Sequence, residues 1–402
     1  MLVDGWLARA AAARPALPAL QTPEEAWTYA QLHDAALAAA AQLQDRGAGR
    51  GARVAIALPP GLAFAQALHG CLVLGAVAVP VDTRLPLAAR AHLTAGAAVL
   101  IEEPLERSQP AARANAGELG ARHDLDDPAA VIHTSGTSAT PKSVTLSYGN
   151  ILWSALGSAV ALGHGPRARW LCALPLAHVG GLSILLRSAI YATTALVHER
   201  FEEDRVLHAL REHDVTLVSL VATTLARLLD AGLQRPRSLR CALTGGGPVP
   251  AALLDRAYAA GVPVSITYGL TEAASQVTTT PLAALARGPA RAGPPLFCTR
   301  VQIASDGEIL VRGPTVSRDA LADDGWLHTS DLGALEHDGR LQVTGRRSEV
   351  IISGGQNVSP AEVEAVLEGH PDVLEAAVVG REDERWGEAV NAWVVMRDAA
   401  RA

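Results

Sequence analysis

Residues 131–144 read VIHTSGTSATPKSV and set hydroxyls, a glycine, a proline and a lysine directly after an apolar run. Lys142 is the only lysine among the 34 lysine and arginine residues of the 402-residue chain. A chain that otherwise uses arginine keeps lysine where a compact, flexible point charge serves better than a planar fork, and phosphate cradling is one such use. A chance surface lysine is the alternative. The run from Gly136 to Ser143 superficially resembles a P-loop with proline in place of the second glycine. A true P-loop starts its helix at the Lys-Ser, so that backbone N–H groups point at phosphate. Here Val144, Leu146 and Tyr148 alternate as in a strand, and the helix is expected only from about Asn150. The stretch therefore reads as a phosphate loop between two strands.

Three further clusters could do chemistry. Pro175-Leu-Ala-His178-Val-Gly180-Gly181 lies between an expected strand at 169–174 and an apolar helix through Tyr191, where α/β folds present ligands. A solvated loop histidine is the alternative for His178. Gly245-Gly246-Gly247 follows an expected strand at 240–244; three glycines let a flat or phosphorylated ligand approach the backbone, or make a plain tight turn. Tyr268-Gly269-Leu-Thr271-Glu272 follows an expected strand at 264–267. A carboxylate and hydroxyls at a strand end can hold Mg²⁺ bound to a nucleotide's phosphates. Thr271 as a helix N-cap with Glu272 in the first turn is the second reading, and both can hold together.

The elements that must position these groups follow from the pattern. The first hundred residues alternate helix and short strand, with a long alanine helix over 30–46, a strand at 54–58, a helix at 61–74 and a strand at 76–79. Alternation of this kind predicts a parallel sheet with helices on both faces. Residues 54–81 carry no charge and are long enough for a membrane span, but Pro59, Pro60, Gly61 and Pro80 break the run and Gln66 and His69 sit inside it. It reads as buried α/β core. Residues 102–129 are polar and read as a loop or short connecting helix. From 203 the units repeat as helix 203–213, strand 217–220 and helix 222–231. After Pro281 the texture changes to short β segments, at 300–303, 308–312, 325–333 and 340–343, which suggests a small antiparallel or barrel-like subdomain. Residues 350–402 read β, loop, helix (359–368), β, turn, β, with a hinge expected near Ser348.

Composition narrows the function. A net charge of −7 argues against nucleic acid. Four scattered cysteines without a CxxC pair fit reduced thiols in a cytoplasmic protein. No HExxH and no EF-hand loop is present, so no dedicated metal site is visible. Asp4, Arg9 and Arg14 interrupt the alanine-rich start, which makes it a poor signal peptide.

In order and spacing, 134–144, 245–250, 268–272, 325–333 and 345–364 together resemble the adenylate-forming superfamily of acyl- and aryl-CoA synthetases, and the likeness runs essentially from end to end. PLAHVGGLSILLRSAIY (175–191), YGLTEAASQV (268–277) and GRRSEVIISGGQNVSPAEVE (345–364) are most similar to its o-succinylbenzoate–CoA ligase branch, which serves menaquinone synthesis. The resemblance implies a large N-terminal domain (1–347) of two doubly wound α/β subdomains plus a β-rich subdomain, then a small, shortened α+β C-terminal domain (348–402). It implies an AMP-forming acid–thiol ligase that uses ATP, Mg²⁺ and coenzyme A on a small carboxylic acid, without membrane or nucleic acid, and that allows a homodimer. Thr134, Ser135, Gly136, Thr137 and Lys142 would grip the β,γ-phosphates. Gly245, Gly246, Gly247, Tyr268 and Gly269 would flank adenine, Thr271 would meet the α-phosphate, and Glu272 the Mg²⁺. Asp331 would accept from the ribose hydroxyls with Arg346 alongside. His178, Gly180, Gly181 and Ser275 would line the acyl pocket, His178 and the two glycines also flanking the approach of CoA. Arg187 or His178 would pair with a second carboxylate of a dianionic substrate.

Two departures stand out. Ala139 and Ser143 replace glycines usual in the family's loop, which restricts φ/ψ there. The family's C-terminal domain normally runs further and ends with a catalytic lysine, whereas this sequence stops at Ala402 and offers no second lysine. Slow or differently supported adenylation, a naturally shortened member, a truncated chain, and a nucleotide- or acyl-adenylate-binding protein with little turnover are the readings this leaves open, beside a ligase for another aryl or fatty acid.

Overall fold

A computed structural model describes residues 1–107, 122–134, 142–285, 293–370, 372–383 and 385–396. Two sheets carry most of the chain. The larger has eight strands in the order Ser275–Thr279, Val264–Leu270, Cys241–Thr244, Leu217–Leu220, Arg169–Cys172, Thr194–Val197, Pro18–Gln21 and Ala26–Thr28, parallel except for its two outermost strands. The smaller has five, Val99–Ile101, Arg53–Ile56, Val77–Pro80, Pro128–Thr134 and Lys142–Ser147, with only the last antiparallel.

Strand periodicity explains how these sheets stack. Trp170 and Cys172 join one buried cluster while Leu171 between them joins another, because successive side chains leave opposite faces. The shared cluster lies between the two sheets and takes in helices Trp6–Ala13, Tyr29–Asp45, Leu62–Leu74, Tyr148–Leu162 and Val179–Tyr191. Helices Glu203–Glu212, Ala222–Asp230 and Ala251–Ala259 cover the far face of the large sheet, and Leu93 of helix Leu87–Thr94 covers the far face of the small one. Both sheets are thus doubly wound. The alanine content has a local reason: a Cβ on Gly70 would lie 2.6 Å from Ala39 Cβ, so helices 29–45 and 62–74 meet almost backbone to backbone. Residues 54–81 are strand, helix and strand, and no described helix is long and apolar enough to cross a membrane.

Arg300–Ile303, Glu308–Arg312, Leu327–Leu335 and Leu341–Arg346 form a four-stranded antiparallel meander, an open sheet rather than a barrel. A second four-stranded sheet in 351–396 packs against helix Pro360–Glu368. Several elements go beyond the sequence reading, strands Pro18–Gln21 and Ser275–Thr279 among them. Strand Thr194–Val197 and helix Ala251–Ala259 were not singled out, and Arg122–Asp124, inside the stretch expected to be loop, pairs with Leu2–Asp4 as a two-stranded ribbon.

That ribbon places His123 against the helical layer. Its ring stacks on Tyr148 at 4.2 Å and meets Trp6 edge-on at 5.1 Å. Burial pushes His123 down to about 4, helped by Arg50, and pushes His69 on helix 62–74 to about 4, helped by His123 and His33. Both pKa values lie below the unfolded value, so the unfolded chain binds more protons between pH 6.5 and 4. Stability is complete above pH 6.5 and falls across that window by up to about 1.4 kcal/mol per pH unit per histidine. The urea midpoint should drop between pH 7.5 and 5.0, and drop less in His123→Phe. Equal drops in both proteins would exclude His123 as a source.

Candidate active site

Lys142 opens the strand Lys142–Ser147, directly opposite Thr134 across the antiparallel pair, and the next helix starts only at Tyr148. The P-loop geometry is therefore absent. Ser143 pairs with His133 in extended backbone, a conformation that does not need the family's glycine. Ser135, Gly136, Thr137 and Ala139 lie outside the described residues. The ammonium of Lys142 reaches across to Glu272, Nζ to Oε1 4.0 Å, and its side chain is 60 % exposed at the opening.

Glu272 sits in a three-residue 3₁₀ turn, Thr271–Ala273, rather than in a helix, and Leu270, not Thr271, occupies the cap position. The turn ends in Ala274 at φ +53 and Ser275 at φ +106. Two consecutive non-glycine residues at positive φ cost energy and persist only where the surroundings fix them. Here the Ser317 N–H donates to Glu272 O at 2.7 Å and the Ser154 hydroxyl to Ala274 O at 2.6 Å.

Ser154 in turn accepts from Arg187 Nη2 at 3.0 Å. Arg187 is 2 % exposed, burial lowers its pKa, and no carboxylate pairs with it among the described residues. Its Nε has no hydrogen-bond partner there either. The Trp170 ring lies 5.7 Å from the guanidinium carbon. A buried cation with one neutral acceptor is electrostatically unfinished.

On the other side of the turn, the Tyr268 hydroxyl donates to Asp331 Oδ2 at 2.8 Å and Arg346 Nε to Asp331 Oδ1 at 2.9 Å. Asp331 and Arg346 are cross-strand partners in the meander, while Tyr268 comes from the large sheet. Burial, and then the Asp331 carboxylate, raise the Tyr268 phenol, which stays protonated and donating. Each Asp331 oxygen keeps lone-pair capacity for another donor.

The glycines serve different ends. Gly246 is at φ +84, and a Cβ on Gly245 would lie 2.8 Å from Thr267 O, so this loop packs onto the strand that carries Tyr268. Around Gly247 the space is open. A Cβ on Gly269 would meet Ser275 O at 1.7 Å, which holds the turn closed. Pro175 O occupies the place of a Gly181 side chain at 2.5 Å, whereas Gly180 has only Leu174 Cδ1 at 3.6 Å. His178 is exposed and caps helix Val179–Tyr191 through its carbonyl. Among the described residues no contact joins it to Lys142, Glu272 or Asp331. The Asp82 carboxylate, just after strand Val77–Pro80, is held low chiefly by Arg84 and lowered slightly further by His178. The sequence signal for Asp82 and Arg84 was the first charge after the uncharged run. Ser154, on an apolar helix, gave none.

The model of a family described as AMP-binding enzyme matches residues 7–319, and that of the AMP-binding enzyme C-terminal domain matches 362–402. The chain belongs to the AMP-binding enzyme family. The 2-succinylbenzoate–CoA ligase of Bacillus subtilis (strain 168) is 37 % identical, over 97 % of this chain and 87 % of that protein. The o-succinylbenzoate CoA synthetase of Bacillus subtilis, solved with the acyl-adenylate intermediate OSB-AMP, superposes with a TM-score of 0.90 at 36 % identity, over 99 % of this chain and 89 % of that one. The structure of that synthetase with ATP and magnesium ion gives 0.88 at 36 % identity, over 99 % and 90 % of the two chains. As a member of this family the chain has the adenylate-forming fold with a small C-terminal domain.

Proposed function

We propose that this chain is an ATP-dependent, AMP-forming ligase that converts 2-succinylbenzoate to its CoA thioester through an acyl-adenylate. Its likeness to curated ligases of that acid supports the reaction. The observation that carries the substrate reading is Arg187, a buried cation whose missing counter-charge a dianionic acid would bring with its second carboxylate. A monocarboxylic fatty acid would leave it unpaired.

The chemistry follows from the groups in place. An oxygen of the reacting carboxylate attacks the α-phosphorus of ATP, and the bond to pyrophosphate breaks. The CoA thiolate then attacks the acyl carbon and AMP leaves. Charge develops on phosphoryl oxygens in the first step and on carbonyl oxygen in the second, so fixed donors and cations do most of the catalysis. Thr134 and Lys142, with Ser135, Gly136 and Thr137, hold the β,γ-phosphates; Thr271 meets the α-phosphate. Gly245, Gly246, Gly247, Tyr268 and Gly269 flank adenine. Asp331, fixed by Tyr268 and Arg346, receives the ribose hydroxyls. His178, Gly180, Gly181 and Ser275 border the acyl and CoA approach.

No group of three or more metal-ligating side chains exists among the described residues. A single half-buried carboxylate, Glu272, facing the lysine fits a Mg²⁺ that arrives on the nucleotide, since that ion keeps water and phosphate oxygens as its other ligands. When bound it would neutralise phosphate charge. We also assign the domain boundary to 347/348, because strand Leu341–Arg346 passes there into the short turn Arg347–Glu349 that leads to the second sheet. The same reading places the enzyme in the cytoplasm and allows a homodimer, which sedimentation would check.

ATP–pyrophosphate exchange across a panel of acids tests the proposal, together with thioester formation from a supplied acyl-adenylate. Exchange should be fastest with 2-succinylbenzoate. Preference for a monocarboxylic aryl or fatty acid would overturn the substrate assignment. Thioesterification without exchange would mark a half-reaction enzyme, and ATP binding with neither activity a binding protein.

A further inference from the structure

Asp331 does not lie in a regular strand. Glu308 pairs with Leu332 and Leu310 with His328, so the single residue Ile309 of one strand faces three of the other, and Thr329, Ser330 and Asp331 bulge from the ladder. Ser330, at the crest, adopts φ +62. A bulge re-aims a side chain but strips neighbouring backbone groups of their ladder partners. The Ser330 N–H is supplied instead by a side chain: it donates to Glu308 Oε1 at 2.8 Å. The Thr329 hydroxyl completes the knot, donating to Ile309 O at 2.7 Å and accepting the Asp331 N–H at 3.1 Å.

Glu308 is buried, and its second oxygen, Oε2, faces Arg347 Nη2 at 3.4 Å and His328 Nδ1 at 3.1 Å. Arg347 also donates to Asp306 Oδ2 at 2.7 Å. One carboxylate thereby fixes the residue before Asp331 and the residue after Arg346, the two halves of the couple assigned to the ribose. A buried carboxylate needs such donors, and its removal would leave the Ser330 N–H without an acceptor beside a strained backbone.

We propose that Glu308 is a positioning residue for nucleotide recognition: it holds the Thr329–Asp331 bulge in the conformation that presents Asp331 to the ribose hydroxyls. It touches no substrate, and the inference rests on the assignment of Asp331 to the ribose. A carboxylate–hydroxyl bond should make the wild-type protein prefer ATP over analogues lacking the 2′- or 3′-hydroxyl by about 10–100-fold. Glu308→Ala should reduce this preference to a few-fold, read both as KM ratios and as dissociation constants by calorimetry, with kcat at saturating ATP changed much less. Glu308→Gln, which keeps a carbonyl acceptor for Ser330, should recover part of it. Val311→Ala loosens the core of the same sheet without touching the bulge and should lower the melting temperature while leaving the preference intact.

Full preference in Glu308→Ala, or an equal loss in Val311→Ala, would overturn the positioning role. If Glu308→Ala does not fold, Glu308→Leu, which fills the space but offers the Ser330 N–H no acceptor, decides, and undiminished preference there overturns the role as well. Asp331→Asn separates the two levels. If wild type and Asp331→Asn both bind ATP and its deoxy analogues alike, the ribose assignment fails and takes this inference with it. If Asp331→Asn abolishes the preference and the Glu308 variants keep it, only the inference fails.

Discussion

Lys142→Ala is expected to slow ATP–pyrophosphate exchange by about 10²–10³-fold, the usual effect of losing one preorganised donor from a transition state that spreads negative charge. The melting temperature should stay where it is, because the side chain is 60 % exposed and its one charged contact among the described residues, Glu272, lies at 4.0 Å. The position offers no second route to the same charge: the other basic residues are all arginine, whose planar fork does not reproduce a compact ammonium at the end of a flexible stem. Lys142→Arg should therefore restore little. Thioester formation from supplied acyl-adenylate should keep its rate in both variants, since pyrophosphate has already left. Exchange at the wild-type rate in Lys142→Ala would remove this lysine from the mechanism.

How strand Lys142–Ser147 runs was legible in sequence because Val144 and Leu146 alternate with polar neighbours, and that alternation survives in the burial of the strand. The turn after Tyr268 was less so. Thr-Glu-Ala-Ala has good helix formers, yet positive φ at Ala274 and Ser275 ends the turn at once, and the bond that fixes it comes from Ser154, far away in the chain. Local propensity cannot register a tertiary hydrogen bond. The family resemblance sets Arg346 alongside Asp331, but the residues alone do not show the contact, which depends on cross-strand register and on a bulge whose acceptor, Glu308, sits on a third segment. The ribbon of Leu2–Asp4 and Arg122–Asp124 is too short for periodicity to mark, and its two strands lie far apart in sequence. Periodic segments, in short, announce their own conformation, whereas site geometry made by register, bulges and distant side chains does not.

Arg187 illustrates that difference with the sharpest consequence. In sequence it is one charge on an apolar helix; in the structure it is a buried guanidinium with, among the described residues, a single hydroxyl to donate to. Replacing a poorly compensated buried charge by an apolar side chain of similar length commonly stabilises a protein by about 1–4 kcal/mol. Arg187→Met should accordingly raise the urea midpoint. The same substitution should lower kcat/KM for 2-succinylbenzoate by about 30-fold or more, the cost of stranding one member of a buried charge pair, here the substrate carboxylate. A monocarboxylic analogue without the second acid group should lose far less, so the ratio between the two acids isolates the contact from general damage. Destabilisation with an unchanged ratio would make Arg187 a strut for Ser154 and the Ala274 turn. A stability gain joined to a collapsed ratio would mean that the fold carries an unpaired charge so that its substrate can pair it.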